Sequence, residues 1–280
     1  MVASLRGHGI LVLPVHPHCQ SVLAPECRVP ARWPRAAAVT EHGESRLASP
    51  NAQVLEVADP ATTCHTEVIL GEPSRAIADV ASARHSPLFV MGIGRHRPLD
   101  RMLGLETAVR TISRATCPVL AVSADIHVPF GDVVLATDFS PASIKAAESI
   151  IPLLTTGSVL HLVHVWEPSA VHDARLRTLD ESYAAALTKK FRRLLEILAL
   201  PSGIAVKEEV LEGRASERLL DYANDHNADV VVAGRQGLNL LSRLVVGSVT
   251  DALLRASKCS VMIAPAPTFA NDTLKRQEAR

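Results

Sequence analysis

Two tandem doubly wound α/β domains, each with a mainly five-stranded parallel sheet, are the fold this sequence predicts, and three observations predict it. At 280 residues the chain exceeds most single domains and suits two of about 130 to 150 residues each. It also repeats itself: Val68-Ile-Leu-Gly71, Ser74, Asp79-Val-Ala81 and Val90-Met-Gly92 lie 142 residues before Val210-Leu-Glu-Gly213, Ser216, Asp221-Tyr-Ala223 and Val232-Ala-Gly234. Cys117-Pro-Val119 answers Cys259-Ser-Val261 at the same offset. Finally, short β-branched runs alternate with amphipathic stretches, the pattern of right-handed βαβ crossovers over a parallel sheet. The copies divide as residues 1–127 and 128–266, joined near Asp125–Gly131, with a polar tail over 267–280.

The second copy is the clearer. Asp132–Thr137 is apolar, β-branched and too short for a helix, so it reads as a buried strand. Ser140-Pro141 then opens a helix, hydroxyl as N-cap and proline at the first helical position, running to about Thr155. Val159–Val165 is a second strand. Over 174–199, Leu176, Leu179, Tyr183, Leu187, Phe191, Leu194 and Leu198 recur at steps of three and four, one face of a long helix against the sheet. A third strand over Ile204–Leu211, a helix over Ala215–Asp225, a fourth strand over Asp229–Ala233, a helix over Ser248–Ser257 and a fifth strand over Cys259–Ala264 complete the domain. The first copy has the same order from Val54 onward, but only Ala58–Thr66 separates its second and third strands, so the long helix is missing.

Composition excludes several classes of function. Lys+Arg and Asp+Glu are both 29, and residues 1–130 carry 12 basic against 11 acidic side chains, so no basic surplus draws the chain to a phosphate backbone. Five Phe, two Trp and two Tyr leave little to stack on bases; no nucleic-acid partner is expected. Apolar runs such as Ile10–Val15 fall far short of the roughly 20 residues of a membrane span and are too short for a secretory core. Five cysteines without a C-x-x-C pair suggest reduced thiols and a cytoplasmic protein. His16, His18, Cys19 and Cys27 match no established metal-ligand spacing, so no metal site is assigned to protein side chains alone. Arg95-His96-Arg97 reads as a solvated loop and His164 as a packed strand histidine.

The chemistry lies in a glycine pattern. After the fourth strand come Gly234-Arg-Gln-Gly237, nine residues, and Gly247-Ser248 opening a helix. Glycine lets a phosphate approach the backbone, and the helix start offers unpaired N–H groups, the positive end of its dipole and the Ser248 hydroxyl. No G-K-[ST] follows, so this is not a P-loop. In isolation such glycines serve equally as turn residues and a helix cap.

In this position, however, the pattern resembles that of the nucleotide-binding members of the universal stress protein family, whose fold is adenine nucleotide alpha hydrolase-like. Gly234, Gly237, Gly247 and Ser248 match its G-2x-G-9x-G-[ST], Leu135-Ala-Thr-Asp138-Phe-Ser140 its first strand and Leu162-Val-His-Val165 the end of its second. The resemblance is strong over about 131–265 and weak over 9–123. It implies ATP, with Mg2+ bridging its phosphates. Asp138 would face the adenosine, the Val165 backbone would bond the adenine edge, and Gly234, Gly237, Gly247 and Ser248 would hold the phosphates. Arg235 and Arg243 would neutralise charge. It further implies pairing through last strands, as an internal pseudo-dimer or between chains as a homo-oligomer, and a role as a nucleotide-responsive regulatory module in stress adaptation with a protein partner the sequence does not name. Asp138 also reads as a turn or N-cap carboxylate.

The first copy departs from the pattern. Its fourth strand ends Gly92-Ile-Gly94, one residue short in the first interval, and the pair nine residues on is Gly104-Leu105, with no hydroxyl. His16 stands where the second copy has Asp138. Residues 1–127 are therefore expected to bind ATP poorly and to act mainly as a structural or regulatory partner for the second copy. No catalytic residue is assigned, since the chain lacks H-x-G-H, S-G-G-x-D-S and G-x-S-x-G; a slow ATPase is the alternative, and a scaffold without nucleotide a third reading.

Overall fold

The apolar runs of the second half pair as strands and continue into the first half. The computed structural model describes residues 4–5, 9–10, 72–93, 98–122, 129–167, 181–235 and 247–266. The second and third strands of the first copy, the stretch 174–180, His16, His18, Cys19, Cys27, Arg95, His96, Arg97 and the tail lie outside them.

In chain order the described elements are β1 (Ser4–Leu5), β2 (Gly9–Ile10), α1 (Pro73–Ala83), β3 (Phe89–Gly92), α2 (Pro98–Arg114) and β4 (Val119–Val122). The second half gives β5 (Phe130–Ala136), α3 (Pro141–Ile150), β6 (Leu154–Trp166), α4 (Glu181–Leu198), β7 (Ala205–Glu212), α5 (Ala215–Asp225), β8 (Val230–Gly234), α6 (Ser248–Ala256) and β9 (Ser260–Ala264). Among the described residues a seven-stranded sheet runs β3-β4-β9-β8-β5-β6-β7, while β1 and β2 pair separately. Within the second half every pairing is parallel, β5 lying between β6 and β8. Hence the chain winds outward from β5 first to one side and then to the other, and the switch point lies between β5 and β8.

The halves meet through their last strands: β4 pairs antiparallel with β9, Leu120 opposite Met262. The internal pseudo-dimer that the resemblance implies is thus present as one continuous sheet. Two cores flank it. On one face Ile77, Ala108 and Ile112 of the first half pack with Leu219, Leu253, Leu254, Val231 and Val261 of the second. On the other, Ala146, Ile150, Leu187, Phe191, Leu194 and Leu198 cover Val133, Leu135, Leu160 and Leu162. The alternation of Val133, Val134 and Leu135 between these cores is the strand period of two. Phe191 closes edge-on against Phe139, centroids 5.1 Å apart at 78°.

Two expectations need correction. The helix opened by Ser140 ends at Ile150, five residues early, because Pro152 has no N–H to give the carbonyl of residue 148; a 3-10 turn over Ile151–Leu153 leads straight into β6. The second strand accordingly begins at Leu154. In the first half, Gly104 and Leu105 lie inside a helix: α2 starts at Pro98 and runs through both, and Leu105 is buried in the core.

Candidate functional site

The switch point is built from five chain segments. Beyond β5, the Asp138 Oδ1 accepts from the Ser140 N–H at 3.0 Å, and Ser140 in turn caps α3, its Oγ accepting from the Ser143 N–H at 3.3 Å. Between them Phe139 is left-handed, φ 62°, a conformation costly for a bulky residue. It is held by the Thr137 hydroxyl, which accepts from its N–H at 3.0 Å, and by its ring packing on His164 and Phe191. Lys190 sets its ammonium 5.4 Å from the centre of the same ring.

From β6 comes Val165. The Thr137 N–H donates to the Val163 carbonyl at 2.9 Å, so Val163 turns its backbone groups toward β5. Val165, two residues on, turns its own the same way, past the last rung of the β5–β6 ladder at Ala136 and Val163. These groups therefore face the carboxyl edge of the sheet instead of a neighbouring strand. His164, on the alternate side, must donate from Nδ1 to the Thr137 carbonyl at 2.8 Å, which leaves Nε2 to accept from the Tyr183 hydroxyl at 3.3 Å. Burial holds its pKa below the ordinary histidine value, so the neutral ring is the packed strand histidine the sequence suggests.

The end of β8 supplies Gly234, and the reason for glycine there is visible. A Cβ would lie 2.8 Å from the Ala142 carbonyl carbon, 2.9 Å from its Cβ and 3.0 Å from the Ser143 nitrogen. The first turn of α3 rests directly on this residue. At α6, Gly247 is the N-cap in extended conformation, with no side-chain hydrogen bond capping the helix, and Ser248 is the first helical residue. The Gly247 N–H donates to the Arg235 carbonyl at 3.1 Å, joining the two ends of the segment that carries Gly237 and Arg243, which lie outside the described residues.

Arg235 departs from its expected role. Its guanidinium is buried, and Nη1 donates to the carbonyls of Ile112, Ser113 and Ala115 at 3.0, 3.1 and 2.9 Å. It binds the carboxyl end of α2, where the last-turn carbonyls lack helical partners and the dipole is negative. Sequence reading could not reach this, since the partner lies about 120 residues away. Sequence reading also passed over Thr250: buried in the first turn of α6, it donates its hydroxyl to the carbonyls of Gly234 and Arg235 at 3.2 and 3.4 Å. Its signal was a threonine two places after the Gly-Ser pair. Among the described residues no group of three His, Cys, Asp or Glu side chains is arranged to hold a metal ion.

Fold and site together define a tandem doubly wound α/β protein with an open helix amino terminus at its switch point. A sequence model of the universal stress protein family matches residues 18–123 and again 129–265. The chain belongs to that family. It is 31% identical over 142 residues to the universal stress protein Sll1654 of Synechocystis, a match covering 49% of this chain and 87% of the relative. It is 30% identical over 102 residues to a putative universal stress protein of Staphylococcus aureus, covering 33% of this chain and 61% of that protein's length. A putative universal stress protein from Pseudomonas aeruginosa shares the fold across 86% of this chain and 85% of its own, with a TM-score of 0.55 at 17% identity. No described helix is long and apolar enough to cross a membrane.

Proposed function

We propose that the second half binds one ATP at the β5–β8 switch point and that the protein acts as a nucleotide-responsive binding module, not as an enzyme with turnover. The observation that carries this reading is the amino end of α6: from Ser248 onward its first turn brings backbone N–H groups without a side-chain cap to the carboxyl edge of the sheet, beside Gly234. The residues fit the ligand. The Val165 backbone, turned to the same edge, suits the hydrogen-bonding edge of a purine, and Asp138 retains a carboxylate beyond β5 for a ribose. Magnesium would enter with the phosphates, since it is held largely by phosphate oxygens and water instead of an all-protein cage. The Ser248 hydroxyl is a protein donor suited to that ensemble. Among the described residues of the first half no helix starts at Gly104-Leu105, because α2 runs through both.

Native mass spectrometry of freshly purified protein tests identity and stoichiometry together, with one adenine nucleotide per chain expected. Calorimetric titration should give the same stoichiometry, and Gly247→Glu or Ser248→Leu should abolish binding while leaving the circular dichroism spectrum unchanged. Two equal sites, or retained affinity in both variants, would sink the assignment. Single-turnover hydrolysis by the purified protein would favour the slow-ATPase reading.

A further inference from the structure

One residue belongs at once to the proposed nucleotide site and to the junction between the halves. The Arg235 N–H donates to the Ala264 carbonyl at 2.7 Å, fixing the end of β8 against β9. Its carbonyl accepts from the Gly247 N–H at 3.1 Å and from the Thr250 hydroxyl at 3.4 Å, fixing the start of α6. Its side chain crosses into the first half and holds three carbonyls at the end of α2. The guanidinium is a buried cation whose Nε finds no partner among the described residues. A buried charge in this state is costly unless compensated. The carboxyl end of α2 compensates part of that cost.

We infer that Arg235 is a positioning residue that couples nucleotide occupancy to the docking of the first half. This rests on the nucleotide reading above and adds its regulation. The sign follows from electrostatics and geometry. A polyphosphate at the amino end of α6, which meets the Arg235 backbone, adds negative charge one side chain's length from a buried cation and so favours the buried guanidinium, which in turn holds α2 against the sheet. Conversely, the α2 carbonyls hold the Arg235 backbone where it closes the base of the site. Linkage makes the effect reciprocal: whatever factor nucleotide contributes to docking, docking contributes to nucleotide affinity. The first half thereby acts on a site to which it gives no ligand-binding side chain among those named, and the surface of α2 and β4 reports whether the site is filled.

Hydrogen exchange followed by mass spectrometry, on the full chain with and without MgATP, tests this. In the wild-type protein MgATP should slow exchange across residues 105–122 about fivefold or more. Arg235→Met keeps the apolar stem of the side chain but donates nothing; there the slowing should fall below about twofold, and ATP affinity should drop by the same factor as the lost slowing. Arg235→Lys keeps the charge without the fork that spans several carbonyls and should lie between the two. Slowing in Arg235→Met equal to wild type means the coupling does not pass through Arg235 and overturns the inference. If Arg235→Met does not fold, the wild-type arm decides: ATP that binds by calorimetry yet leaves exchange over 105–122 unchanged overturns the inference while the nucleotide reading stands. No binding of ATP at all overturns both.

Discussion

Gly234 separates a structural demand from a ligand's demand. Glycine in such a pattern is readily assigned to phosphate approach, yet here the nearest obstacle to a side chain is the protein itself. Ordinary carbon–carbon contact is about 3.5 to 4.0 Å, so a Cβ at 2.8 Å from the Ala142 carbonyl carbon requires the first turn of α3 to withdraw by roughly 0.7 Å. Both nearest partners sit on or next to backbone, anchored by the Ser140 cap and by burial of Ala142 and Ser143. Overpacking of this kind costs about 1 to 3 kcal/mol. At about 2 to 4 °C per kcal/mol for chains of this order of size, Gly234→Ala should melt about 2 to 12 °C below wild type in scanning calorimetry without nucleotide. Ala142→Gly removes the 2.9 Å clash but leaves the carbonyl carbon, so the double variant should recover part of the loss, with a coupling of at least about 0.5 kcal/mol. A melting temperature within about 1 °C of wild type, with no coupling to Ala142, would refute this account and return Gly234 to a purely ligand-driven role.

Two further outcomes follow from the same geometry. Ser140→Ala removes the acceptor for the Ser143 N–H at a buried helix start and should lower the urea-unfolding free energy by about 0.5 to 2 kcal/mol; an unchanged midpoint would show that the cap carries nothing. His161 is buried with Nε2 donating to the Asp132 carboxylate at 3.2 Å and Nδ1 accepting from the Tyr222 hydroxyl at 2.9 Å, and burial lowers its pKa. Because the folded value lies below the unfolded value of about 6.5, stability is complete above that pH and is lost as the pH falls through 6.5 toward the folded value. His164, lowered for the same reason, acts in the same direction. The urea-unfolding free energy should therefore fall between pH 7.5 and 5.5, by up to about 1.4 kcal/mol per pH unit for each histidine, and His161→Gln should flatten the profile; a variant as steep as wild type would assign the dependence elsewhere.

What the sequence reveals divides along the range of the interactions that fix it. The helix over Ala215–Asp225 and the strands β5, β7, β8 and β9 are local: period, β-branching and turn residues specify them within a residue or two. So is the Ser140-Pro141 helix start, whose hydroxyl and proline act on their own turn. The far end of that helix is also local, and Pro152 was its signal; apolar periodicity through Ile151, Leu153 and Leu154 masked it. Asp138, Val165, Gly234, Gly247 and Ser248 come together at one edge because each terminates or follows an element the pattern defines. Two kinds of feature resist this reading. Gly104-Leu105 has the spacing of a cradle but Pro98 starts the helix six residues earlier, and spacing alone does not say where a helix begins. Arg235 sits in the motif by sequence but answers to Ile112, Ser113 and Ala115, which only the β4–β9 pairing brings within reach.

That pairing gives the diverged first half a role that does not depend on binding a ligand. Every residue of β9 from Ser260 to Ala264 is buried, with β8 on one side and β4 on the other. Without β4 the run Val261-Met262-Ile263 would be an apolar edge strand with open backbone groups, a template for association with other chains. The core on the α2 side is likewise shared, Ala108, Ile112 and Val119 packing with Leu253, Leu254 and Val261. Arg235 would lose the three carbonyls that receive its guanidinium. Pairing and packing constrain backbone and apolar side chains, and these are features the first half keeps, in Ala81, Cys117 and Val119 of the shared core and in Gly92 at the end of β3. Ligand contact constrains the glycine interval and the hydroxyl, and those are the features it has lost. On the proposed nucleotide reading, the two halves divide along the line that separates holding the sheet together from holding a ligand, and Arg235, placed in the motif by sequence yet bonded to α2, touches both.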